Sequence, residues 1–414
     1  MRHRSLIAFA LALGGGCNGQ TTEGLQPLPE DEARKHEAPG ADGTCVATRT
    51  TDDAWSSSFK TVQLGSREQV RVKLDPCSNI ALGFTSYQED SDHGHSVRLY
   101  RVFRNGATDW TAWLPTALRF DMQVDEFGNI INLSESWLTV LTASGEPHLG
   151  VPSEGHPLGG SYLRQLSGNW LIGWDRVVSL PSGRVLEGRG YWGNSRQIDR
   201  LDVAIVEDDQ RLLTTINQNF DFNAGIFTGS QILVIEFPGA KVQFIHAPED
   251  PSFYAETALL AADSQRAFLG STYYVADPAT HERIECSESV LIDIRDENWR
   301  PEPLGFCGAI EAMALVEGSL FSLWSVPVEP LDPEYHPFEA VPILMRHDLD
   351  GRETGRFELE SIIGRTHQDG TGALDMAITD DGKAAIVGIL NGGPWNGRFY
   401  LYPSTATVAR VPLE

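Results

Sequence analysis

One short pattern recurs along this chain: about six apolar-rich residues, a tight turn containing Asp, Gly, Ser or Asn, and a second apolar-rich run. Two of its copies are "VRVKLDPCSNIALGFTS", from Val70, and "FDMQVDEFGNIINLSE", from Phe120. Turn residues between two strand-forming runs are typical of a β-hairpin. The turns of seven such copies lie near residues 77, 127, 167, 209, 264, 318 and 381. Their spacing of roughly 40 to 65 residues indicates a repeated unit of several strands.

A second, outer hairpin follows most copies. Runs such as "SVRLYRVF" and "QILVIEF" precede its turns, which lie near Gly106, Gly145, Gly183, Gly239, Gly351 and Ser404. Four strands in each of seven units, with almost no helical period, resemble a seven-bladed β-propeller of four-stranded antiparallel blades. The blade pattern is similar to that of bacterial propellers of the YVTN, PQQ-like and WD40-like kinds. The resemblance covers roughly residues 58–414 and is architectural. It matches no single family's consensus, so it implies no functional residue.

Closure of such a ring involves the two ends of the repeat region. We expect the last unit to have four strands of its own, ending at Val411. The run "FKTVQLG" near Phe59 precedes the first unit and can pair with the last one. Closure of the ring protects the edges of the sheets. A pair of β-sandwiches is the alternative all-β architecture, and the near-regular spacing of the hairpins argues against it.

The N-terminal stretch "MRHRSLIAFALALGGGCNGQ" has the pattern of an export signal. Arg2 and Arg4 precede an apolar run from Leu6 to Leu13, and this run is too short to span a membrane. Small residues directly before Cys17 resemble the bacterial lipobox, in which the cysteine is acylated and becomes the mature N-terminus. The pattern departs from the lipobox because Gly14 takes the place of the usual leucine. Cleavage by an ordinary signal peptidase therefore stays open.

The predicted domain organisation follows from this signal. Residues 1–17 are the signal peptide ending at the lipobox-like Cys17, residues 18–44 a flexible tether and residues 45–414 a single propeller domain. The tether lacks hydrophobic periodicity and is rich in Pro, Gly and charge. Asn18, where lipoproteins of the inner membrane often carry Asp, favours a lipoprotein of the bacterial outer membrane. A periplasmic or secreted protein is the alternative.

Four cysteines remain if Cys17 carries the lipid. An even number of cysteines in an exported protein predicts two disulfides. The pairs Cys45–Cys77 and Cys286–Cys307 are favoured because both close short loops. None of the spacings is C-x-x-C, which argues against a metal site.

The net charge of -25 is strongly acidic. Such a surface repels phosphate backbones and argues against nucleic-acid binding. It suits a soluble protein, a bound cation or a basic partner. We expect a monomer that meets the membrane only through its N-terminal lipid.

In a propeller the loops between second and third strands, and between blades, lie on one face. These loops are the long and varied ones in this sequence, and binding residues favour such loops. Aromatic side chains there can bind sugars, peptides or proteins, or can equally pack the loops onto the blades. Those in the predicted loops are Phe220, Phe222, Tyr273, Tyr274, Tyr335 and Trp395.

The densest polar cluster of these loops consists of Asp90, Asp92, His93 and His95. Carboxylates and imidazoles at this spacing can bind Ca²⁺ or a transition metal. The cluster matches no strict calcium-binding loop, and a solvated acidic loop is the simpler interpretation. The run "HDLDGRE" from His347 also resembles a cation loop, but Asp-Gly is the ordinary residue pair of a hairpin turn. A divalent cation such as Ca²⁺ is the cofactor that the sequence suggests.

Two functions stay open at this point. The sequence contains neither a G-x-S-x-G elbow nor an identifiable Ser-His-Asp set. The first interpretation is a cell-envelope protein that binds a protein, peptide or glycan through its long-loop face. The second is a propeller enzyme, a hydrolase, lyase or metal-dependent oxidoreductase, with its site at the mouth of the central channel. A fold does not decide between them.

Overall fold

The structure of the protein, a computed structural model, describes part of the chain. The described residues are 54–60, 69–87, 95–103, 106–115, 120–125, 128–134, 137–152, 163–167, 170–173, 176–179, 185–187, 203–206, 211–221, 226–237, 241–246, 253–262, 267–276, 283–293, 302–328, 338–368, 374–391 and 405–413.

The described strands form seven antiparallel sheets, six of four strands and one of five. Sheet 1 contains β2 (Val70–Leu74), β3 (Ile80–Tyr87), β4 (His95–Val102) and β5 (Thr108–Pro115). Sheet 2 contains β6 (Phe120–Val124), β7 (Ile130–Ser134), β8 (Trp137–Leu141) and β9 (Pro147–Pro152). Sheet 3 contains β10 (Leu163–Ser167), β11 (Trp170–Gly173), β12 (Arg176–Ser179) and β13 (Val185–Glu187). Sheet 4 contains β14 (Val203–Val206), β15 (Arg211–Asp221), β16 (Ile226–Phe237) and β17 (Lys241–His246).

The remaining three sheets contain β18 to β29 and the N-terminal strand β1. Sheet 5 contains β18 (Phe253–Ala262), β19 (Ala267–Ala276), β20 (Arg283–Asp293) and β21 (Glu302–Pro303). Sheet 6 contains β22 (Ala309–Val316), β23 (Ser319–Pro327), β24 (Phe338–His347), β25 (Glu353–Glu358) and β26 (Thr366–Gln368). Sheet 7 contains β27 (Leu374–Ile378), β28 (Ala384–Asn391), β29 (Thr405–Pro412) and the N-terminal strand β1 (Trp55–Lys60). A short helix, α1 (Glu360–Ile363), lies between β25 and β26. The fold is therefore all-β with four-stranded antiparallel sheets, as the sequence predicted.

The recurrent turn between the first two strands of a unit has a side-chain cause. Asp75 Oδ1 accepts hydrogen bonds from the backbone N–H groups of Cys77 and Asn79, both at 2.8 Å. Asp125 accepts the N–H of Asn129 in the same way at 2.9 Å. In both turns the Asn side chain also donates to the second carboxylate oxygen of the Asp. The spacing D-x-x-x-N thus closes the turn from within, and this is why the pattern repeats in sheets 1 and 2.

Neighbouring sheets pack through a repeated close approach. An apolar side chain of one first strand lies on a glycine in the middle of the preceding sheet. A Cβ on Gly83 would lie 2.8 Å from Phe120 of sheet 2, and a Cβ on Gly388 would lie 2.5 Å from Val72 of sheet 1. Gly270 has the same relationship to Ile310 of sheet 6. Glycine at these positions lets the sheets approach closely enough to exclude water.

Contacts between first strands link the sheets in sequence order. Each first strand contacts that of the next sheet, in the order β2, β6, β10, β14, β18, β22 and β27, and β27 contacts β2 in turn. The apolar core is accordingly divided among the interfaces, for example Phe120 and Met122 against Leu99 between sheets 1 and 2.

Sheet 7 corrects the expectation that the last unit has four strands of its own. Its outer strand is β1, which pairs with β29 from Trp55↔Arg410 to Lys60↔Thr405. The alternative expectation, that the run near Phe59 pairs with the last unit, is confirmed. β28 pairs directly with β29, so the turn expected near Ser404 belongs to the connection between them and lies outside the described residues. A strand at residues 55–60 satisfies the edge of β29 that would otherwise be open.

Candidate partner-binding face

Strand order places two kinds of connection at opposite ends of each sheet. Because neighbouring strands are antiparallel, the first-to-second and third-to-fourth connections share one end, which we name the short-turn face. The second-to-third connections and those between sheets share the other end, which we name the long-loop face. Short-turn connections include residues 75–79, 142–146 and 317–318, whereas long-loop connections include 88–94, 329–337 and 392–404.

Polar contacts between first strands align the faces of neighbouring sheets. Val72 N, in β2, donates to Asp375 Oδ2, at the second position of β27, at 2.7 Å. Arg71 Nε lies 3.4 Å from Asp121 Oδ1, at the second position of β6. Equivalent positions of sheets 7, 1 and 2 therefore lie side by side, and the long connections of these sheets reach the same face.

Asp375 also provides a hydrogen-bond acceptor for the backbone at the inner edge of sheet 1. β2 pairs with β3 on one side only, so half of its N–H groups have no strand partner. Val72 is fully buried and Asp375 is 8% exposed. A buried N–H without an acceptor is unfavourable, and the carboxylate of the preceding sheet supplies that acceptor.

The rim of the long-loop face at sheets 6 and 7 contains an addition that the sequence did not predict, consisting of helix α1 and strand β26. β24 pairs with β25 through Ile343–His347 and with β26 through Phe338–Ala340. Helix α1 connects these two strands and buries Ile363 in the core that sheets 6 and 7 share. Asn391 Nδ2, at the end of β28, donates to the backbone oxygen of Ile363 at 3.2 Å. The addition thus ties the two sheets together at this face.

The connection from sheet 5 to sheet 6 is also fixed in place. The hydroxyl of Thr272, in β19, donates to the backbone oxygen of Gly308. Phe306 packs edge-on against the buried Trp324, with ring centroids 5.5 Å apart. Cys307, which lies between Phe306 and Gly308 in the chain, is disulfide-bonded. Several independent contacts therefore hold this part of the long-loop face.

The structure corrects the predicted position of three aromatic residues. Phe220 lies in β15 opposite Phe227, and Tyr273 and Tyr274 lie in β19 opposite Glu288 and Cys286. We expected all three in loops. Aromatic residues favour strands, and cross-strand pairing extends these hairpins toward the long-loop face. Phe222, Tyr335 and Trp395 lie outside the described residues.

Only one residue of the predicted cation cluster, His95, is among the described residues. His95 is the first residue of β4 and pairs with Tyr87, so it belongs to a strand and not to the loop. Asp90, Asp92 and His93 lie outside the described residues. Within the described ranges, no group of three or more His, Cys, Asp or Glu side chains could hold a metal ion.

The run from His347 forms a structural turn, as the alternative interpretation expected. Asp348 Oδ1 accepts hydrogen bonds from the N–H groups of Asp350 and Arg352, both at 2.9 Å. His347 itself is 1% exposed, and neither ring nitrogen has a hydrogen-bond partner among the described residues. Burial lowers the pKa of its imidazole, although the carboxylates of Glu353 and Asp348 act to raise it. No sequence pattern indicated that this histidine is buried.

Cysteine and membrane predictions are tested only in part. Cys77 and Cys307 are disulfide-bonded. Cys17 and Cys45 lie outside the described residues, and Cys286 is described through its backbone alone. The pairings Cys45–Cys77 and Cys286–Cys307 therefore stay predictions, as does acylation of Cys17. In the part of the chain that the structure describes, no helix has the length and apolar character needed to cross a membrane.

Comparisons with known proteins give only distant similarity. No family model and no curated protein matches the chain. The structure is similar to the WD40 domain of Pan2 from Neurospora crassa, with a TM-score of 0.44, 9% identity and coverage of 86% of this chain and 96% of that chain. It is similar to the WD40 domain of SCAP from fission yeast, with a TM-score of 0.37, 11% identity and coverage of 88% and 89%. A third similarity is to KlAtg21 in complex with the coiled-coil of AgAtg16, with a TM-score of 0.41, 10% identity and coverage of 82% and 99%.

Proposed function

We propose that this chain is an exported, seven-bladed β-propeller that binds a protein, peptide or glycan partner through its long-loop face. In this proposal Cys17 is acylated and anchors the domain to the bacterial cell envelope. The seven sheets are the blades, and the first strands surround a central channel.

The cyclic order of contacts between first strands supports the ring. β27 contacts β2, and β1 from the N-terminal side completes the sheet that contains β27. A ring joined in this way is rigid at its centre and carries its variable connections at the ends of the strands.

The single observation that carries the binding role is the unequal length of the connections at the two faces. Tight turns closed by their own side chains, such as those at Asp75 and Asp125, are found at the short-turn face. The longest connections, including 329–337 and 392–404, are at the other face, although the connection 294–301 between β20 and β21 lies at the short-turn face. Loops of variable length on a rigid scaffold are where binding residues concentrate.

A photo-cross-linking experiment tests this role. A photoreactive amino acid is placed at Val328, which is 44% exposed at the end of β23 on the long-loop face. The matched control places it at Asp380, an exposed residue of the short-turn face. Both proteins are expressed in the native cell, irradiated and analysed by mass spectrometry. We expect one stoichiometric adduct from position 328 and none from position 380.

The double variant Tyr335→Ala, Trp395→Ala adds a specificity test. If aromatic residues of the long-loop face bind the partner, the adduct at position 328 is lost in this variant. Equal adducts at both faces, or no adduct at any irradiation dose, would argue against the proposed binding face.

Acylation is tested separately by metabolic labelling with a lipid analogue. We expect label on the wild-type protein and none on Cys17→Ala. An unlabelled wild type would exclude the lipid anchor but would not argue against the proposed binding face.

A further inference from the structure

The direction of β1 shows at which face the N-terminal segment enters the domain. β28 runs from the short-turn face to the long-loop face, so β29 returns in the opposite direction. β1 is antiparallel to β29, with Trp55 opposite Arg410 and Lys60 opposite Thr405. Trp55 therefore lies at the short-turn end, and the strand leads away from it toward the long-loop face.

Contacts of Trp55 with sheet 1 confirm this placement independently. A Cβ on Gly106, in the turn between β4 and β5, would lie 3.0 Å from the Trp55 indole. Ser57 Oγ donates to the backbone oxygen of Gly106 at 2.9 Å. The turn at Gly106 is a third-to-fourth strand connection, which places it on the short-turn face.

A covalent bond is formed on the same face. Cys77 lies in the turn between β2 and β3, and this cysteine is disulfide-bonded. The turn is held by Asp75, whose carboxylate accepts the N–H of Cys77 at 2.8 Å. The short-turn face therefore carries both the entry of the N-terminal segment and a cysteine in a disulfide.

We infer that the domain is attached through its short-turn face, so that the long-loop face points away from the attachment surface toward a partner on the far side. This inference rests on the proposed function, because it specifies which face the anchored domain offers for binding. It adds that the long-loop face cannot contact a partner that lies in the same membrane surface as the anchor. The partner it fits therefore approaches from the side opposite the attachment surface.

Shielding on a solid support tests the orientation without lipid or partner. The full chain carries biotin at Ala54, the residue before β1, or at Asn18, at the start of the tether. An azide-bearing amino acid is placed at Asp380 on the short-turn face or at Val328 on the long-loop face. The rate at which a bulky cyclooctyne-dextran reacts is then compared for protein free in solution and protein held on streptavidin. Glu146 and Ser361, both exposed, provide a second position for each face.

We expect immobilisation to slow the reaction several-fold at Asp380 and Glu146, and to leave Val328 and Ser361 unchanged, with either attachment point. Shielding of Val328 and Ser361 would overturn the inference. Equal rates at the two faces for protein held at Asn18 would also overturn it, because the tether would then not orient the domain. Neither result affects the cross-linking or labelling tests of the proposed function, so the two failures are distinguishable.

Discussion

Arg101 donates a hydrogen bond from Nη1 to the backbone oxygen of Ala143, which joins sheet 1 to the outer turn of sheet 2. The other terminal nitrogen of Arg101 donates to Asp75 Oδ2 at 2.8 Å. Trp110 Nε1 donates to the same Ala143 oxygen, also at 2.8 Å. One guanidinium thus connects the inner turn of a sheet, its own third strand and the neighbouring sheet.

Replacement of Arg101 by Met should destabilise the protein strongly. The side chains of Arg101 and Asp75 are 9% and 7% exposed, so the variant leaves a buried carboxylate without its counter-charge. Loss of one partner of a buried pair costs about 3–5 kcal/mol of the free energy of unfolding. The measurement is chemical denaturation followed by tryptophan fluorescence.

The matched control for this prediction is Arg352→Met. Arg352 lies 3.7 Å from Asp350, but the two side chains are 77% and 64% exposed. An exposed pair contributes little, so we expect a change within about 0.5 kcal/mol. Similar losses in both variants would show that the Arg101 contacts contribute no more than an exposed ion pair.

Gly145→Ala should destabilise the protein more than Gly318→Ala. Both glycines have positive φ, +84° and +71°, so alanine strains the backbone at either position by roughly 1–2 kcal/mol. A Cβ on Gly145 would also lie 2.6 Å from the Trp110 ring, whereas one on Gly318 would meet nothing within 4 Å. The difference between the two midpoints of denaturation therefore measures the packing of Trp110. No difference would mean that Trp110 moves aside freely.

The strand hairpins could be predicted from the sequence because their causes are local. A period of two in the apolar residues and an Asp or Gly at the turn are properties of adjacent residues, and described strands flank each of the seven predicted turn positions. Pairing of β1 with β29 joins residues far apart in the chain, and no local pattern encodes it. β26 is only three residues long, and it is stabilised by pairing with β24 and not by its own pattern.

The candidate site was less predictable for the same physical reason. The sequence indicated which connections are long, and hence which face is variable. It placed Tyr273 and Tyr274 in a loop, whereas cross-strand pairing extends β19 through both residues. No sequence pattern singled out Arg101 or Asp375. Their contacts depend on how two sheets pack, which a single sequence pattern does not show.

The bond from Val72 to Asp375 predicts a difference in stability between two substitutions of Asp375. Asp375→Ala leaves the buried N–H of Val72 without an acceptor, which costs about 1–3 kcal/mol of the free energy of unfolding. Asp375→Asn keeps a carbonyl oxygen at the same position and should retain most of that stability. Thermal unfolding of the two variants provides the comparison. Equal destabilisation would show that the negative charge, and not the acceptor, is needed at this position.

His347 predicts a loss of stability on acidification. Its pKa is lowered from 6.5 by burial, so the folded protein keeps a neutral imidazole at a pH where the unfolded chain binds a proton. The unfolded state therefore binds more protons as the pH falls below about 6.5, and the free energy of unfolding decreases by at most about 1.4 kcal/mol per pH unit from this residue. Glu353 and Asp348 partly oppose this effect, and Arg356 adds to it. The measurement is a series of denaturation curves between pH 7.5 and 5.5, which spans roughly one unit on either side of the unperturbed pKa. The free energy of unfolding should depend less on pH for His347→Leu and His347→Gln than for the wild type. Parallel pH profiles for all three proteins would show that the buried imidazole does not titrate differently on unfolding.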